Sequence, residues 1–172
     1  MNAVFENIHA RASVRSFSAE PVERAALEKI ADAGVSAPTG MNRQTRRIWV
    51  VTDKALMSRL AKAVGAAIGR ADYGFYGAPA FFLVTDEAQE TNALANCACA
   101  LENMMLASTA LGLGSVWINQ FRDVCDDAGV RGLLDEMGVP ATQFVGGCLA
   151  VGHAAAPAKP VERKADLVRW FE

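Results

Sequence analysis

Apolar positions along this chain follow two periods in turn. Val4, Phe5 and Ile8 fall at helical spacing within Asn2 to His9, and Leu27, Ile30, Ala31 and Gly34 share one face of a second helix over about Val22 to Ala33. Pro21 near the start of that helix and Gly34 just past its end fit the usual asymmetry of helix termini. Arg47 to Val51 is a short β-rich run. Asp53 then stands where it can cap a third helix, whose apolar face is Leu56, Met57, Leu60, Ala61 and Val64. Gly65 to Gly77 reads as a loop that holds both tyrosines, and Pro79 opens Ala80 to Val84, an apolar run whose brevity and flanks indicate a central strand.

The segment from about Thr91 to Leu111 is apolar nearly all round. Between Leu94 and Leu113 its only formal charge is Glu102, so hydropathy alone makes it a candidate membrane span. Asn96, Asn103, Ser108 and Thr109 dilute it, alanine outweighs leucine, and no Lys or Arg between Ala71 and Phe121 anchors it at an interface. A long buried helix under a sheet is therefore expected instead. Cys97 and Cys99, two apart, fall on different faces of it. Gly112 and Gly114 punctuate a turn into the strand Ser115 to Ile118, which ends in Asn119-Gln120. A helix around Gly129 to Met137 and a strand from Phe144 to Val151 follow, the latter with Gly146-Gly147, a pair that signals close approach of another group to the backbone. From Ala154 the chain turns to alanine, proline and lysine, and the terminal Trp170 and Phe171 imply that this tail docks, on its own domain or on a partner.

A length of 172 residues suits one domain with a single sizeable core, and 52% apolar with 21% charged residues is an ordinary globular mix. The formal net charge of -2 argues against a general nucleic-acid or anionic-membrane surface. No secretory signal pattern opens the chain, which gives a cytoplasmic expectation. Cys97, Cys99, Cys125 and Cys148 form no CxxC and the two histidines, His9 and His153, lie far apart, so no metal site is expected.

Candidate chemistry lies in two N-terminal segments. Arg11-Ala12-Ser13-Val14-Arg15 sets two guanidinium groups and a hydroxyl on alternate residues, a donor set able to wrap a phosphate, although such a run also serves as solvated surface charge. Ser36 to Gln44 is a turn-rich loop of small and amide residues that can approach a flat heterocycle and hydrogen-bond its edge. With no cation from Ala71 to Phe121, a phosphate must be held by the N-terminal third, the tail or both, which makes Arg11, Arg15 and Arg163 the leading candidates. Neither GxGxxG after a strand nor a Walker A sequence occurs, and Gly112-Leu113-Gly114 reads as a helix cap.

Five segments, in order, give the chain a family resemblance: Arg11 to Phe17, Ala37 to Gln44, Gly77-Ala78-Pro79-Ala80, Asn103 to Asn119, and the Gly146 to Gly152 strand with the Arg163-Lys164 tail. The chain resembles a short member of the nitroreductase family. That resemblance implies an α+β three-layer sandwich, its central mainly antiparallel sheet flanked by helices, assembled as a homodimer with FMN at the interface. It implies that Arg11 and Arg163 bind the FMN phosphate with Ala12 and Ser13 nearby. Arg15 would lie against the pyrimidine edge of the isoalloxazine, where a fixed cation stabilises charge developing on reduction. Pro38, Thr39, Gly40, Asn42 and Gln44 would come from the loop that reaches the flavin, in this family often from the partner subunit. Trp117, Ile118 and Asn119 would line the other ring face, with a backbone amide near Asn119 donating to N5.

Under the resemblance the chemistry belongs to the cofactor, and the protein tunes and shields it. The implied activity is NADH- or NADPH-dependent reduction of a nitroaromatic, quinone, flavin or enone by a ping-pong cycle. The alternatives are a flavin enzyme with a dedicated substrate, or a non-catalytic flavin-binding, electron-carrying or sensing protein. Thr45-Arg46 stands where many members have Pro-Trp, Asn119-Gln120 replaces a more usual acidic residue or glycine, and the helical insertion of larger members is missing.

Overall fold

The apolar run that begins at Ala80 is buried on both sides because the strand it forms carries helices on each face. The computed structural model describes residues 2–159 and 161–172. Four strands, β1 (Arg47–Val51), β2 (Ala80–Glu87), β3 (Gly114–Ile118) and β4 (Gln143–Gly152), form one antiparallel sheet in the order β1-β2-β4-β3. Around it lie α1 (Ala3–Ala10), α2 (Arg24–Val35), α3 (Lys54–Ala67), α4 (Ala93–Ala110), α5 (Gln120–Asp123) and α6 (Ala128–Glu136). Alternate residues of β2 feed two cores. Phe82 and Val84 meet Ile30 of α2 with Leu101 and Met104 of α4, while Phe81 and Leu83 meet Leu60 and Val64 of α3 and Leu134 of α6. Three layers result, the α+β sandwich expected of the sequence.

Local signals explain where several elements begin and end. Asp53 Oδ1 accepts from the Leu56 amide at 2.8 Å, the cap expected for α3, and that helix runs past Gly65 to Ala67. Gly65 is not the start of a loop. A Cβ there would lie 2.6 Å from the Arg70 carbonyl oxygen, so its role is to let the chain fold back on the helix. Gly34 likewise lies inside α2, not beyond it, because Ile48 and Met104 press to within 2.7 Å of where its Cβ would be. The one-turn α5 had no period to reveal it and is anchored by the fully buried Phe121.

The glycine pair in β4 is approached by α4. Val84 pairs with Gly147 and Thr85 with Val145, leaving Gly146 as the extra residue of a β-bulge, so that Val145 and Cys148 face the same core. A Cβ on Gly146 would sit 2.5 Å from the Cys97 Cβ, and one on Gly147 would sit 2.6 Å from Leu101 Cδ1. This close contact buries Cys97, Ala100, Leu101 and Met104 and leaves the opposite face of α4 open, with Leu94, Ala95, Cys99 and Glu102. No helix among the described residues is long and apolar enough to cross a membrane.

Both chain ends carry unburied apolar side chains. Helix α1 has no buried residue, exposes Val4, Phe5 and Ile8, and is tied to α4 by Asn7 Nδ2 donating to the Leu106 carbonyl at 3.0 Å. Trp170 and Phe171 are 83% and 95% exposed, so the tail does not dock them on its own domain. The bulge gives a direct test of packing. Gly146→Ala should destabilise the protein by about 1–3 kcal/mol, the range for overpacking a tight core, seen as a lower urea midpoint at unchanged slope.

Candidate functional site

The arginine-bearing segment is held along the sheet edge by its own apolar residues. After α1 ends, Val14 donates its amide to the Ser115 carbonyl at 2.9 Å, Ser18 to His153 at 2.9 Å, and the Ala155 amide donates back to Ser16 at 3.0 Å. Val14 and Phe17 are buried, Val14 packing where a Gly114 side chain would be and Phe17 where a Gly152 side chain would be. Between these anchors Arg15 and Ser16 are exposed and Ser13 is half-buried. Together with Lys159 and its neighbours in the tail, they line a cavity of about 640 Å³, within the range of small-molecule sites.

Arg11, which ends α1, is not among the residues that line that cavity and faces α4. Its Nε stands 3.9 Å from Glu102 Oε1, an ion pair longer than a hydrogen bond with the one charged residue of that helix, and Ala12 beside it is half-buried. Arg163 is exposed and follows the last tail residue that lines the cavity, Glu162. The start of β3 is connected to the same region through the Ser13–Ser115 bridge, and Trp117 and Ile118 stand at the other end of that strand. There the Ile118 side chain is buried in the core and the Trp117 ring turns toward Leu101 and Gly147. The Trp117 indole N–H is buried without a partner among the described residues. Asn119, at the start of α5, is exposed.

The loop predicted to meet the same ligand is elsewhere in the chain. Gly40 to Asn42 form a single 3-10 turn, Gln44 donates its amide to Thr39 Oγ1 at 3.1 Å, and Gly40 donates to Asn96 Oδ1 at 2.9 Å. Asn96 in turn donates to the buried Asp86 at 2.9 Å, and Pro38 precedes the turn. The loop therefore sits at the N-terminal end of α4, whereas Asn7 and Arg11 contact Leu106 and Glu102. At 1.5 Å of rise per residue, Asn96 lies about 9 Å along the axis from Glu102 and about 15 Å from Leu106. One chain thus brings together Ser13, Arg15 and the tail, with the start of β3 beside them, and holds Pro38, Thr39, Gly40, Asn42 and Gln44 apart.

Sequence reasoning missed Ser16 and Lys159, whose nearness to Arg15 and Arg163 was the available signal. It also missed a cavity of about 270 Å³ gathering Arg70, Tyr73, Tyr76 and Gln120 next to Asn119. Arg70 stands one residue before the cation-free stretch. The donor set of guanidinium, ammonium and hydroxyl groups around an open cavity fits an anionic, phosphate-bearing ligand.

An antiparallel sheet between two helical layers, with an arginine-serine segment on its edge, defines a nitroreductase-type fold. A family model described as the nitroreductase family matches residues 8–72 and 66–153, and the chain belongs to that family. A crystal structure of a nitroreductase with bound FMN from Bacteroides fragilis is similar over 100% of both chains, with a TM-score of 0.95 and 35% identity. A nitroreductase with bound FMN from Desulfitobacterium hafniense is similar over 100% of both chains, with a TM-score of 0.90 and 28% identity. A protein of Archaeoglobus fulgidus, provisionally named an NADH dehydrogenase/NAD(P)H nitroreductase, is 25% identical over 163 residues, which span 89% of this chain and 86% of that protein.

The buried thiols are chemically quiet. Burial, reinforced by Asp86, pushes the Cys97 thiol up to about 12; burial also raises Cys125 and lifts Cys148 well above the ordinary range. Burial pushes the Tyr73 hydroxyl up to about 12 as well. In the unfolded chain these groups lose their protons near about 8.5 for Cys and about 10 for Tyr. Above that point the folded state binds more protons than the unfolded, so stability should fall as pH rises toward 12. Thermal melts across the alkaline range check this, and Cys97→Ala should flatten the slope.

Proposed function

We propose that the protein is an FMN-dependent oxidoreductase that takes reducing equivalents from NADH or NADPH and delivers them to a small acceptor, working as a homodimer. The observation that carries this reading is the division of the donor set along α4, with the loop at Asn96 near its N-terminal end, Arg11 at Glu102 in its middle and Asn7 at Leu106 beyond. Pairing the open faces of two α4 helices about a two-fold axis, antiparallel, would set the loop of one subunit beside the arginine segment of the other. Two copies would complete two sites. The exposed Val4, Phe5 and Ile8 of α1 and the free Trp170 and Phe171 supply further apolar surface for such an assembly.

In this reading Arg11 and Arg163 hold the FMN phosphate, with Ser13 adding a hydroxyl donor. Arg15 keeps a positive charge at the pyrimidine edge and so favours the reduced over the oxidised form. Thr39, Gly40, Asn42 and Gln44, following Pro38, offer backbone and amide groups from the partner loop, and the backbone at Asn119, with Trp117 and Ile118 behind it, supports the second ring face. When bound, FMN would accept a hydride from the nicotinamide and pass reducing equivalents to the acceptor. A single open face serving both in turn makes the cycle ping-pong, with nitroaromatics, quinones, flavins or enones as acceptors. The presence of FMN in similar solved structures supports the cofactor, and the name of the Archaeoglobus relative supports the reductant.

Arg11→Ala should weaken FMN binding by about 1.5–3 kcal/mol, the range for a hydrogen bond to a charged group, and leave riboflavin binding nearly unchanged. Titration of the apoprotein with each flavin measures it, and equal losses would remove the phosphate role. Light scattering at low micromolar protein should give roughly twice the 18.3 kDa chain mass, with yellow colour confined to that species. A yellow monomer would overturn the shared site.

A further inference from the structure

We propose that Arg46 is the positioning residue of the Pro38–Gln44 loop, an inference that rests on the reading of that loop as part of the cofactor site. Its guanidinium donates to five backbone carbonyls. Nη1 reaches Pro38 at 3.3 Å and Asn96 at 3.0 Å, and Nη2 reaches Gly34 at 2.9 Å, Val35 at 3.1 Å and Ala37 at 3.1 Å. One side chain therefore joins the last turn of α2, the stem of the loop and the first turn of α4. The last turn of α2 has no basic residue of its own, and Arg46 supplies the cation that its unpaired carbonyls favour. A planar fork of five donors can serve these separate carbonyls from two nitrogens, whereas the three donors on lysine's one nitrogen cannot reach all five.

The loop needs such a hold because its backbone is strained. Met41, Asn42 and Gln44 have φ of 52°, 53° and 53°, the left-handed region that side-chain-bearing residues seldom occupy and keep only where the surroundings determine it. Asn96 Oδ1 takes the Gly40 amide, Thr39 Oγ1 takes the Gln44 amide, and Arg46 fixes the stem on both sides, directly at Pro38 and through its own place in the chain after Gln44. Arg43, paired at 2.8 Å with Glu90, whose side chain is buried, adds a further tether. Arg46 meets the predicted ligand site only at the backbone carbonyl of Pro38, in the stem of the loop, and acts through the loop.

The test is Arg46→Lys in the full-length protein, with and without FMN. Hydrogen exchange should speed up about tenfold at the amides of residues 39–44 while residues 80–87 stay at the parental rate. FMN and riboflavin should both bind about tenfold more weakly, the loss of a charge-assisted hydrogen bond. Equal loss separates this effect from Arg11→Ala, which acts through the phosphate. Parental loop exchange would overturn the proposal. Faster exchange with parental affinity for both flavins would keep Arg46 as the positioning residue and remove the loop from the cofactor site. If Arg46→Lys does not fold, Arg46→Gln, which loses the charge and the second donor nitrogen, is measured in the same way, with the same expectations and the same overturning result.

Discussion

The seating of α4 on the bulged strand β4 is the contact on which the other features depend. Two consecutive residues without side chains, Gly146 and Gly147, let the helix sink until Cys97 and Leu101 occupy the space their side chains would take. A fully buried leucine such as Leu101 contributes about 1.5–3 kcal/mol, so the contact stabilises as well as locates. Because α4 carries the loop contact at Asn96 and the α1 contacts at Glu102 and Leu106, its depth in the sheet sets where both halves of the candidate site lie.

Depth alone would not orient the loop, and a buried polar network does that. Asp86 is fully buried and its two oxygens accept from the Glu87 amide at 2.8 Å and from Asn96 Nδ2 at 2.9 Å. Using Asn96 as a donor on that side leaves its oxygen turned toward Gly40. Beside it Trp49 donates to Thr85, and Thr85 to Gln143, which donates onward to Glu87. A buried network whose members are satisfied is stiff, since each bond limits the others.

Features with a local period or local chemistry could be read from the sequence. The helix after Asp53, the strand at Ala80, the cap itself and the arginine-serine segment belong to this group. Gly34 was misplaced because a glycine at a helix end and a glycine under a tight crossing look alike until Ile48 and Met104 are known to meet it. The Gly146-Gly147 signal correctly implied close approach, but the approaching element, more than forty residues earlier in sequence, could not be named. Val14 and Phe17, which clamp the arginine segment to the sheet, are two isolated apolar residues with no helical or strand period around them. Arg46 was the least legible of all, since its role comes from carbonyls on three separate segments and none of them marks itself in sequence.

The cavity beside Ser13 and Arg15 has a temporal side. Its walls come from residues 13–16 and from tail residues between 156 and 162, while the strand between β2 and β3 spans Gln143–Gly152. A growing polypeptide exposes its N-terminal arginines long before it has anything to close over them, and the middle of the sheet is itself among the last parts to be made. Closure of the cavity is consequently a late event of biosynthesis. A chain that stops before Ala156 has one wall and no pocket, so a closed cavity reports that synthesis has passed the last strand of the sheet.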